Sequence, residues 1–365
     1  MKKIVLAGRF SSSDKSNGMT RFSFEFVNAL ISNNYSVTIL DYFRETEKYS
    51  YFTKLFGYEE IETGYPIRYL KVGIVRQLFF LLKEKIRFIH IITYEPNHIF
   101  LFIYKSILKF KIAVTLHAIL NLEEKYEFKG LTITRIKTQI LDKCYYNYSD
   151  FPIYLSKIQI EKISKIYKNS IDKILIPHGY SGDYVNHKQI DVDKLKVFYA
   201  GGTRGIKGFS IINEISQKLS SDIEFIVCGF NYPNSKNSPI NKNIKYLGHL
   251  NFKEYINELQ KTDVVLITSE FETFGFTLID ALKNGVVPIC SKNVGSLELF
   301  QPDTIFSIVE SENANEWIKE INRIYEMKKK GELNGLIDKL KSCSDKINSW
   351  EKIIELYKEK VYDKI

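Results

Sequence analysis

Short apolar runs of strand length alternate with helix-patterned segments along most of this 365-residue chain. In the first example, an apolar run at 2–7 ends at a glycine. Apolar residues then recur at helical spacing from Phe22 to Leu30, and a second apolar run follows at 36–41. Buried parallel strands have this composition, and parallel strands need a crossover segment, usually a helix, to join them. The alternation therefore predicts βαβ units and an α/β fold.

The alternation occurs in two series, separated by a turn-rich stretch at 177–193. Further strand candidates lie at 87–93, 111–117 and 151–156 in the first series, and at 196–200, 223–228, 244–247, 264–268 and 286–290 in the second. The chain is too long for one ordinary α/β domain and long enough for two. We therefore predict two doubly wound, Rossmann-like domains facing each other across a cleft, where ligands bind in such folds. The predicted boundaries are 1–178 and 179–345, with a C-terminal helix at 346–365 packing back on the N-terminal domain.

The most informative segment is 269–289, in which Glu272 and Asp280 stand eight residues apart across a predicted loop-to-helix junction. If most of that interval is helical, it spans about 12 Å, which approximates the reach of a diphosphate between a sugar and a ribose. Gly275 lies near the helix start, where free N–H groups and the positive dipole end favour a phosphate. On spacing alone, the two acids could equally cap and solvate an amphipathic helix.

The same segment resembles the E-x7-E region of retaining GT-B glycosyltransferases, especially the family-four (glycosyl transferases group 1) type. That pattern runs E-x-F-G-x-x-x-x-E-A-x-x-x-G-x-P. The residues in matching register are Glu272, Phe274, Gly275, Asp280, Ala281 and Gly285, with Asp in place of the second Glu and Pro288 one position late. The resemblance extends from residue 2 to about residue 360, and it implies a GT-B fold.

The resemblance also implies roles for these residues in binding a nucleotide-sugar donor. Glu272 would hydrogen-bond hydroxyls of the transferred sugar, and Asp280 would accept hydrogen bonds from the ribose. The backbone around Phe274, Gly275 and Phe276 would line the donor site.

A second glycine-rich segment, AGGTRGIKGF at 200–209, follows a predicted strand. Its glycines would let a phosphate approach the backbone, and Arg204 and Lys207 would supply positive charge. A tight strand–helix connection has the same composition. The resemblance implies that Lys207 contacts the donor diphosphate. The family's usual Arg position, counted back from that Lys, is Gly202 here, so Arg204 is the expected substitute.

Three further candidates come from the resemblance, and each also has an ordinary structural interpretation. Gly18 follows Asn17 in a loop at 8–20, before a predicted helix, and this loop would approach the donor phosphate and the acceptor. His117 ends a predicted strand and would lie near the transferred sugar. Glu298 belongs to a turn resembling the family's G-x-x-E turn, which faces the nucleotide.

The function implied is a retaining glycosyltransferase that moves a hexose-type sugar from a nucleotide diphosphate sugar, with UDP-sugar favoured. The acceptor would be sugar-bearing or lipid-linked, in surface polysaccharide or glycoconjugate synthesis. Its catalytic residues would be Glu272, His117, Arg204 and Lys207. No cofactor and no metal are expected, because cationic side chains can stabilise the leaving diphosphate; Asp191-Val192-Asp193 is interpreted as solvated charge. The alternatives are a nucleotide-sugar epimerase and a non-catalytic pseudo-glycosyltransferase.

The net charge of +9 is concentrated between Arg68 and Tyr145, where 14 Lys and Arg residues stand against 6 Asp and Glu among aromatic and aliphatic clusters. This region could be a solvated basic surface, or a face for anionic lipid or an anionic acceptor. Nucleic acid is not an expected partner, since no nucleic-acid-binding signature accompanies the charge. The apolar run after Met1 is too short for a signal peptide, and the four cysteines are scattered. A cytoplasmic protein is expected, with peripheral contact at the inner face of the cell membrane as a further expectation.

Overall fold

The computed structural model describes residues 1–10, 17–43, 48–63, 66–127, 133–167, 172–185, 194–229, 244–302, 304–310 and 312–365. The chain forms two compact units. Unit 1 comprises Met1–Glu124, Gly130–Gly179 and Ser349–Ile365, and unit 2 comprises Lys125–Lys129 and Tyr180–Asn348. Both are parallel α/β structures, as predicted.

Unit 1 is built on an eight-stranded sheet with the strand order β3-β4-β2-β1-β5-β6-β7-β8. Neighbouring strands are parallel except β3 and β4, which pair antiparallel. Its elements are β1 Lys2–Ala7, α1 Gly18–Ser32, β2 Tyr35–Tyr42, α2 Tyr51–Phe56, β3 Tyr58–Ile61, β4 Ile67–Val72, α3 Ile74–Lys83, β5 Phe88–Ile91, α4 His98–Leu108, β6 Lys111–Thr115, α5 Leu120–Glu127, α6 Ile133–Asn147, β7 Phe151–Tyr154, α7 Lys157–Ile166 and β8 Ile174–Leu175.

Unit 2 is built on a six-stranded, all-parallel sheet with the order β11-β10-β9-β12-β13-β14. Its elements are β9 Leu195–Tyr199, α8 Phe209–Lys218, β10 Ile223–Val227, β11 Ile244–Tyr246, α9 Phe252–Gln260, β12 Val264–Ile267, α10 Phe276–Lys283, β13 Val287–Ser291, β14 Ser307–Val309, α11 Ala314–Lys329 and α12 Leu333–Ser344. The central strand β12 is apolar throughout and fully buried, because helices cover both faces of a doubly wound sheet.

The last helix, α13 (Trp350–Lys360), belongs to unit 1 although it follows unit 2 in the chain. Its Trp350 packs against Phe26 of α1, with ring centroids 6.0 Å apart. The indole Nε1–H of Trp350 donates to Oε2 of the buried Glu25 at 2.7 Å, and the other carboxylate oxygen of Glu25 pairs with Arg21 at 3.0 Å. A buried carboxylate is costly unless it is paired, so α13 completes the polar interior of unit 1.

Every strand expected from an apolar run is present, although several are one to three residues shorter than predicted. The hairpin β3–β4 and the short strands β8 and β14 were not predicted. The described helices include none with the length and hydropathy needed to cross a lipid bilayer.

Candidate functional site

The strand order of unit 2 reverses between β9 and β12. From β9 the chain adds β10 and β11 on one side, and it then returns to place β12 on the other. Loops that leave two such strands at their carboxyl ends diverge and leave a crevice, which is the usual ligand position in open α/β sheets. The loop at 200–208 follows β9 and the loop at 268–275 follows β12, so both of the predicted donor segments start from this point.

Hydrogen bonds fix these two loops to each other. The Thr268 Oγ1–H donates to the carbonyl of Lys207 at 2.8 Å, and the amide of Glu270 donates to the carbonyl of Ile206 at 2.9 Å. Tyr199, at the end of β9, also donates to the Lys207 carbonyl at 3.1 Å. The backbone of Lys207 is thereby held from both strands, so its side chain projects from a fixed position.

Gly208 permits this close approach. It has φ +75° and follows a single 3₁₀ turn at Gly205–Lys207. A Cβ at this position would lie 2.2 Å from the backbone oxygen of Thr268. No side chain can be accommodated without moving one of the two loops.

We expect Gly208→Ala to destabilise the protein by about 2 kcal/mol or more, since left-handed backbone is unfavourable for alanine and the clash is with backbone. The measurement is urea unfolding followed by circular dichroism. Gly335→Ala is the matched control: Gly335 is an exposed helical residue whose Cβ would meet nothing within 4 Å, so alanine should be neutral or stabilising there. Equal stability of the two variants would contradict the tight contact at Gly208.

The side chains of Lys207 and Glu272 meet directly. Lys207 Nζ donates to Glu272 Oε1, and the Oγ–H of Ser269 donates to the same oxygen at 2.8 Å. Ser269 is buried, and its own carbonyl accepts a hydrogen bond from Ser291 at 2.6 Å. Glu272 is therefore held by a cation and by a fixed hydroxyl, with 18% of its side chain still exposed.

The backbone around Glu272 is fixed by the loop after β13. Glu272 forms a parallel bridge with Val294, and the amide of Gly295 donates to the carbonyl of Glu272 at 3.0 Å. Ser296 N–H donates to the carbonyl of Phe274 at 2.7 Å. Glu298, which is half-buried, lies in the 3₁₀ turn Gly295–Leu299 of this same loop. The structure thus brings the segment of Glu298 beside that of Glu272.

Helix α10 begins immediately after Gly275, which is its N-cap and has φ +91°. A Cβ on Gly275 would lie 2.6 Å from Val294 Cγ1, so only glycine fits between the loops. Because the helix starts at Phe276, residues 272–275 are not helical. The span of about 12 Å expected for a mostly helical interval therefore does not apply.

Asp280 lies in the middle of α10 and is 2% exposed. Its Oδ2 accepts a hydrogen bond from the hydroxyl of Tyr255, on α9, at 3.2 Å. The aromatic ring of Tyr255 packs against Phe198 of β9 at 6.0 Å. Asp280 therefore faces α9, against a tyrosine that the sequence analysis did not single out.

The negative charge of Glu272 affects its surroundings. Burial raises the pKa of the Tyr199 hydroxyl, and Glu272 raises it further, whereas Arg204 acts in the opposite direction. Burial likewise raises the pKa of the Cys290 thiol well above its ordinary value, with Glu272 adding to the rise. Tyr199 and Cys290 therefore stay protonated near pH 7.

Arg204 is exposed and lies immediately before the 3₁₀ turn that carries Lys207. Gly202 is buried, and its amide donates to the carbonyl of Cys228 at the end of β10 at 3.1 Å. The turn at Gly202 therefore joins the ends of β9 and β10, while Arg204 projects from the same loop as Lys207.

The remaining two candidates belong to unit 1. Gly18 is the first residue of α1 and is exposed. The side chain of Asn17 caps this helix, accepting from the amides of Met19 and Thr20 at 3.1 and 3.0 Å. Of the loop at 8–20, residues 11–16 lie outside the described residues.

His117 follows β6, and its Nε2–H donates to the carbonyl of Ile92 at 2.9 Å. Its ring packs edge-on against Phe22 at 4.5 Å and lies 5.2 Å from His178. Burial lowers the pKa of His117 to about 4, although its hydrogen bond to Ile92 opposes the shift. His117 is therefore a neutral imidazole near pH 7.

Two residues of the crevice were missed from the sequence. Ser269 stands only three positions before Glu272, so its spacing could have indicated a contact. Tyr255 lies on a different helix, 25 positions from Asp280, and no local pattern links the two.

The described part of the chain contains no group of three or more His, Cys, Asp or Glu side chains arranged to hold a metal ion. Asp191-Val192-Asp193, interpreted from the sequence as solvated charge, lies outside the described residues.

Comparison with known proteins finds a family match in the second half of the chain. Residues 183–335 match the family model described as Glycosyl transferases group 1. This range contains Gly202, Arg204, Lys207, Glu272, Phe274, Gly275, Phe276, Asp280 and Glu298. The chain is also 25% identical, over 178 residues, to an uncharacterized 41.2 kDa protein in the cps region of Klebsiella pneumoniae. That match covers 47% of this chain and 49% of the relative, so it spans about half the length of each.

Solved structures resemble the chain over its whole length. Sucrose-phosphate synthase from Thermosynechococcus elongatus has a TM-score of 0.75 at 16% identity, covering 100% of this chain and 99% of that one. Anabaena HepE, solved in complex with UDP and glucose, has a TM-score of 0.71 at 14% identity, with 100% of both chains covered. Identities this low show the fold alone. The predicted GT-B fold, with two Rossmann-like domains, is confirmed.

Proposed function

Because residues 183–335 match the glycosyl transferases group 1 model within a GT-B fold, we propose that the protein is a retaining glycosyltransferase acting on a nucleotide diphosphate sugar. The observation that carries the proposal is the direct contact of Lys207 with Glu272. It occurs at the strand-order reversal of unit 2, beside the amino end of α10. A cation, a carboxylate and the amino end of a helix together match a diphosphate joined to a sugar.

The donor residues divide by the part of the donor that each would contact. Lys207 and Arg204 neutralise the diphosphate, assisted by the amino end of α10. Glu272 accepts hydrogen bonds from hydroxyls of the transferred sugar. Asp280 accepts hydrogen bonds from the ribose hydroxyls, and the turn that contains Glu298 faces the nucleotide. A carboxylate and a sugar hydroxyl form a charge-assisted hydrogen bond, which is stronger than a neutral one.

In the proposed reaction, the bond between the anomeric carbon and the diphosphate oxygen breaks, and the acceptor oxygen forms its bond on the same face. The proton of the acceptor hydroxyl passes to the departing phosphate oxygen. Configuration at the anomeric carbon is retained. The protein positions the reactants and stabilises the negative charge that grows on the leaving group, which Lys207 and Arg204 do electrostatically. His117 and Gly18 are assigned to the transferred sugar and the donor phosphate on the resemblance alone.

The nucleotide and the acceptor are narrower proposals. UDP is favoured as the nucleotide, since HepE was solved with UDP and glucose on the same fold. A hexose-type sugar is favoured for the same reason. The partial relative from a cps region supports an acceptor in surface polysaccharide or glycoconjugate synthesis, sugar-bearing or lipid-linked.

The first experiment is donor turnover with and without acceptor, measured by release of the nucleoside diphosphate from a panel of nucleotide sugars. We expect release to depend on a UDP-sugar and to rise when a saccharide or lipid-linked acceptor is present. Release is expected to continue undiminished in excess EDTA, because the cationic side chains need no divalent ion to neutralise the diphosphate.

The outcomes distinguish the alternatives. Binding of the donor without turnover would support a pseudo-glycosyltransferase. Interconversion of the sugar without transfer would indicate an epimerase. Complete loss of activity in EDTA, restored by magnesium or manganese, would contradict the proposed role of the two cations.

A further inference from the structure

Four helices of unit 1 carry exposed apolar side chains in pairs one turn apart. Helix α3 contacts α2 and α4, and α4 contacts α6, so the four form one continuous row. Each contributes one pair, and the eight side chains are 44% to 71% exposed. The pairs are Phe52 and Phe56, Phe79 and Leu82, Ile103 and Ile107, and Ile136 and Ile140. We call these four helices with their exposed pairs the helical face.

Single exposed apolar residues are ordinary on a protein surface, but a repeated arrangement is not. The spacing of i, i+3 or i, i+4 puts both members of each pair on the same side of their helix. Among the described residues with large exposed hydrophobic side chains, only Ile308 belongs to unit 2. The exposed apolar surface is therefore concentrated on unit 1, and much of it on this row.

The charges on the helical face are mainly positive. Its exposed cations include Arg76 and Lys83 on α3, Lys109 at the end of α4, and Lys137 and Lys143 on α6. Three nearby acids are paired with other cations: Glu60 and Glu84 with Arg68, and Asp150 with Lys105. Within the described chain, Lys83, Lys109, Lys137 and Lys143 form no ion pair, so their charges are available to an anionic surface.

We propose that the helical face docks the protein on an anionic lipid bilayer. Its apolar pairs enter the boundary between headgroups and acyl chains, and its Lys and Arg side chains bind lipid phosphates. Helices that lie flat in a membrane interface have this combination of apolar side chains and flanking cations. The inference deepens the proposed function, because it would bring the enzyme to a lipid-linked acceptor.

A bilayer fits this surface better than a second copy of the chain. In a two-fold dimer the same patch meets itself, so Lys137 and Lys143 would face other cations of the same face. Like charges brought together across an interface are unfavourable. An anionic bilayer presents negative headgroups to the cations of the helical face and an apolar interior to its exposed apolar pairs.

The test is sedimentation of the full chain with vesicles of phosphatidylcholine, with and without phosphatidylserine, at low and high salt. Wild type is expected to bind only the anionic vesicles and to be released by salt. Lys137→Glu with Lys143→Glu should lower the partition coefficient by about 30-fold or more, since each cation near an anionic leaflet contributes about five-fold and the two new carboxylates are repelled by the leaflet. Ile103→Ser with Ile107→Ser should also weaken binding, because it removes two apolar side chains that would enter the bilayer. Both side chains are exposed in the structure, so the variant should fold as wild type does.

Matched controls lie on unit 2. Lys339→Glu with Lys341→Glu changes two exposed lysines of α12, and Ile308→Ser removes an exposed isoleucine; both should bind vesicles as wild type does. The proposal is overturned if wild type stays in the supernatant with anionic vesicles, or if face and control variants bind equally. Sedimentation velocity showing a dimer that the face variants dissociate would assign the surface to a second copy instead. Calorimetry with UDP on the same samples reports separately on the donor site, so a failure of docking is distinguishable from a failure of the proposed function.

Discussion

Glu272→Ala is expected to lower the turnover number by about 100-fold or more, while affinity for the nucleoside diphosphate stays the same or rises slightly. A polar group aligned with the reacting sugar acts most strongly in the transition state, and removing one such group commonly reduces turnover by about 100- to 1,000-fold. Affinity for the nucleotide should not fall, because the carboxylate would contact the sugar. Its removal also frees Lys207, which it pairs with in the structure, to interact with phosphate.

The measurement combines steady-state transfer kinetics with calorimetry of nucleoside diphosphate binding. Glu214→Ala is the matched control, because Glu214 is a carboxylate of the same unit that pairs with Lys218 on an exposed helix surface. It should leave both quantities unchanged. Glu272→Gln keeps the shape of the side chain and separates the loss of charge from the loss of volume. A Glu272→Ala enzyme as active as wild type would remove Glu272 from the catalytic residues.

Lys207→Ala is expected to weaken binding of the nucleoside diphosphate by about ten-fold or more, since a hydrogen bond from a charged group contributes about 1.5–3 kcal/mol. Arg204→Ala should act in the same direction. The contact of Lys207 with Glu272 adds a specific expectation. Because phosphate and Glu272 compete for the same ammonium group, the loss on removing Lys207 should be greater in a Glu272→Gln background than in wild type.

This second prediction calls for a double-mutant cycle, with four proteins titrated by calorimetry. The control is the same cycle on the exposed ion pair of Lys218 and Glu214, with Lys218→Ala made alone and together with Glu214→Gln. Neither change should affect nucleotide binding. Unchanged affinity in both Lys207→Ala and Arg204→Ala would place the phosphate site elsewhere. Strictly additive effects in the main cycle would show that the Lys207–Glu272 contact does not compete with phosphate.

Most of the strands that the sequence predicts are largely buried, because burial on both faces requires an apolar run. β12, with the sequence VVLI and all four residues buried, is the clearest example. The missed strands lack that signal. β3 has the sequence YEEI and is mostly exposed, and it pairs only with β4 at the edge of the sheet. An edge strand is stabilised by its neighbour rather than by its own composition.

In the candidate site, the sequence identifies the charged residues but not their partners. Lys207 and Glu272 are 65 positions apart, and their contact follows from the placement of β9 beside β12, which no local pattern encodes. Tyr255 was missed for the same reason, since the fold brings it to Asp280 from a different helix. Ser269 differs, because it stands three positions before Glu272 and its spacing could have indicated the contact. The start of α10 near Gly275 agrees with the prediction. The non-helical path of residues 272–275 was not predicted, because a helix boundary depends on cap geometry.

The return of α13 to unit 1 has a consequence for how the chain is made. During synthesis, residues 1–179 leave the ribosome long before residues 349–365. The hydrogen bond from Trp350 to Glu25 therefore cannot form until the rest of unit 2 has been translated. Unit 2 is continuous apart from Lys125–Lys129 and can be completed first. Premature termination near residue 348 would therefore leave unit 1, which is synthesised first, without α13. Proteases should then recognise the incompletely folded unit 1 of such products rather than their new C-terminus.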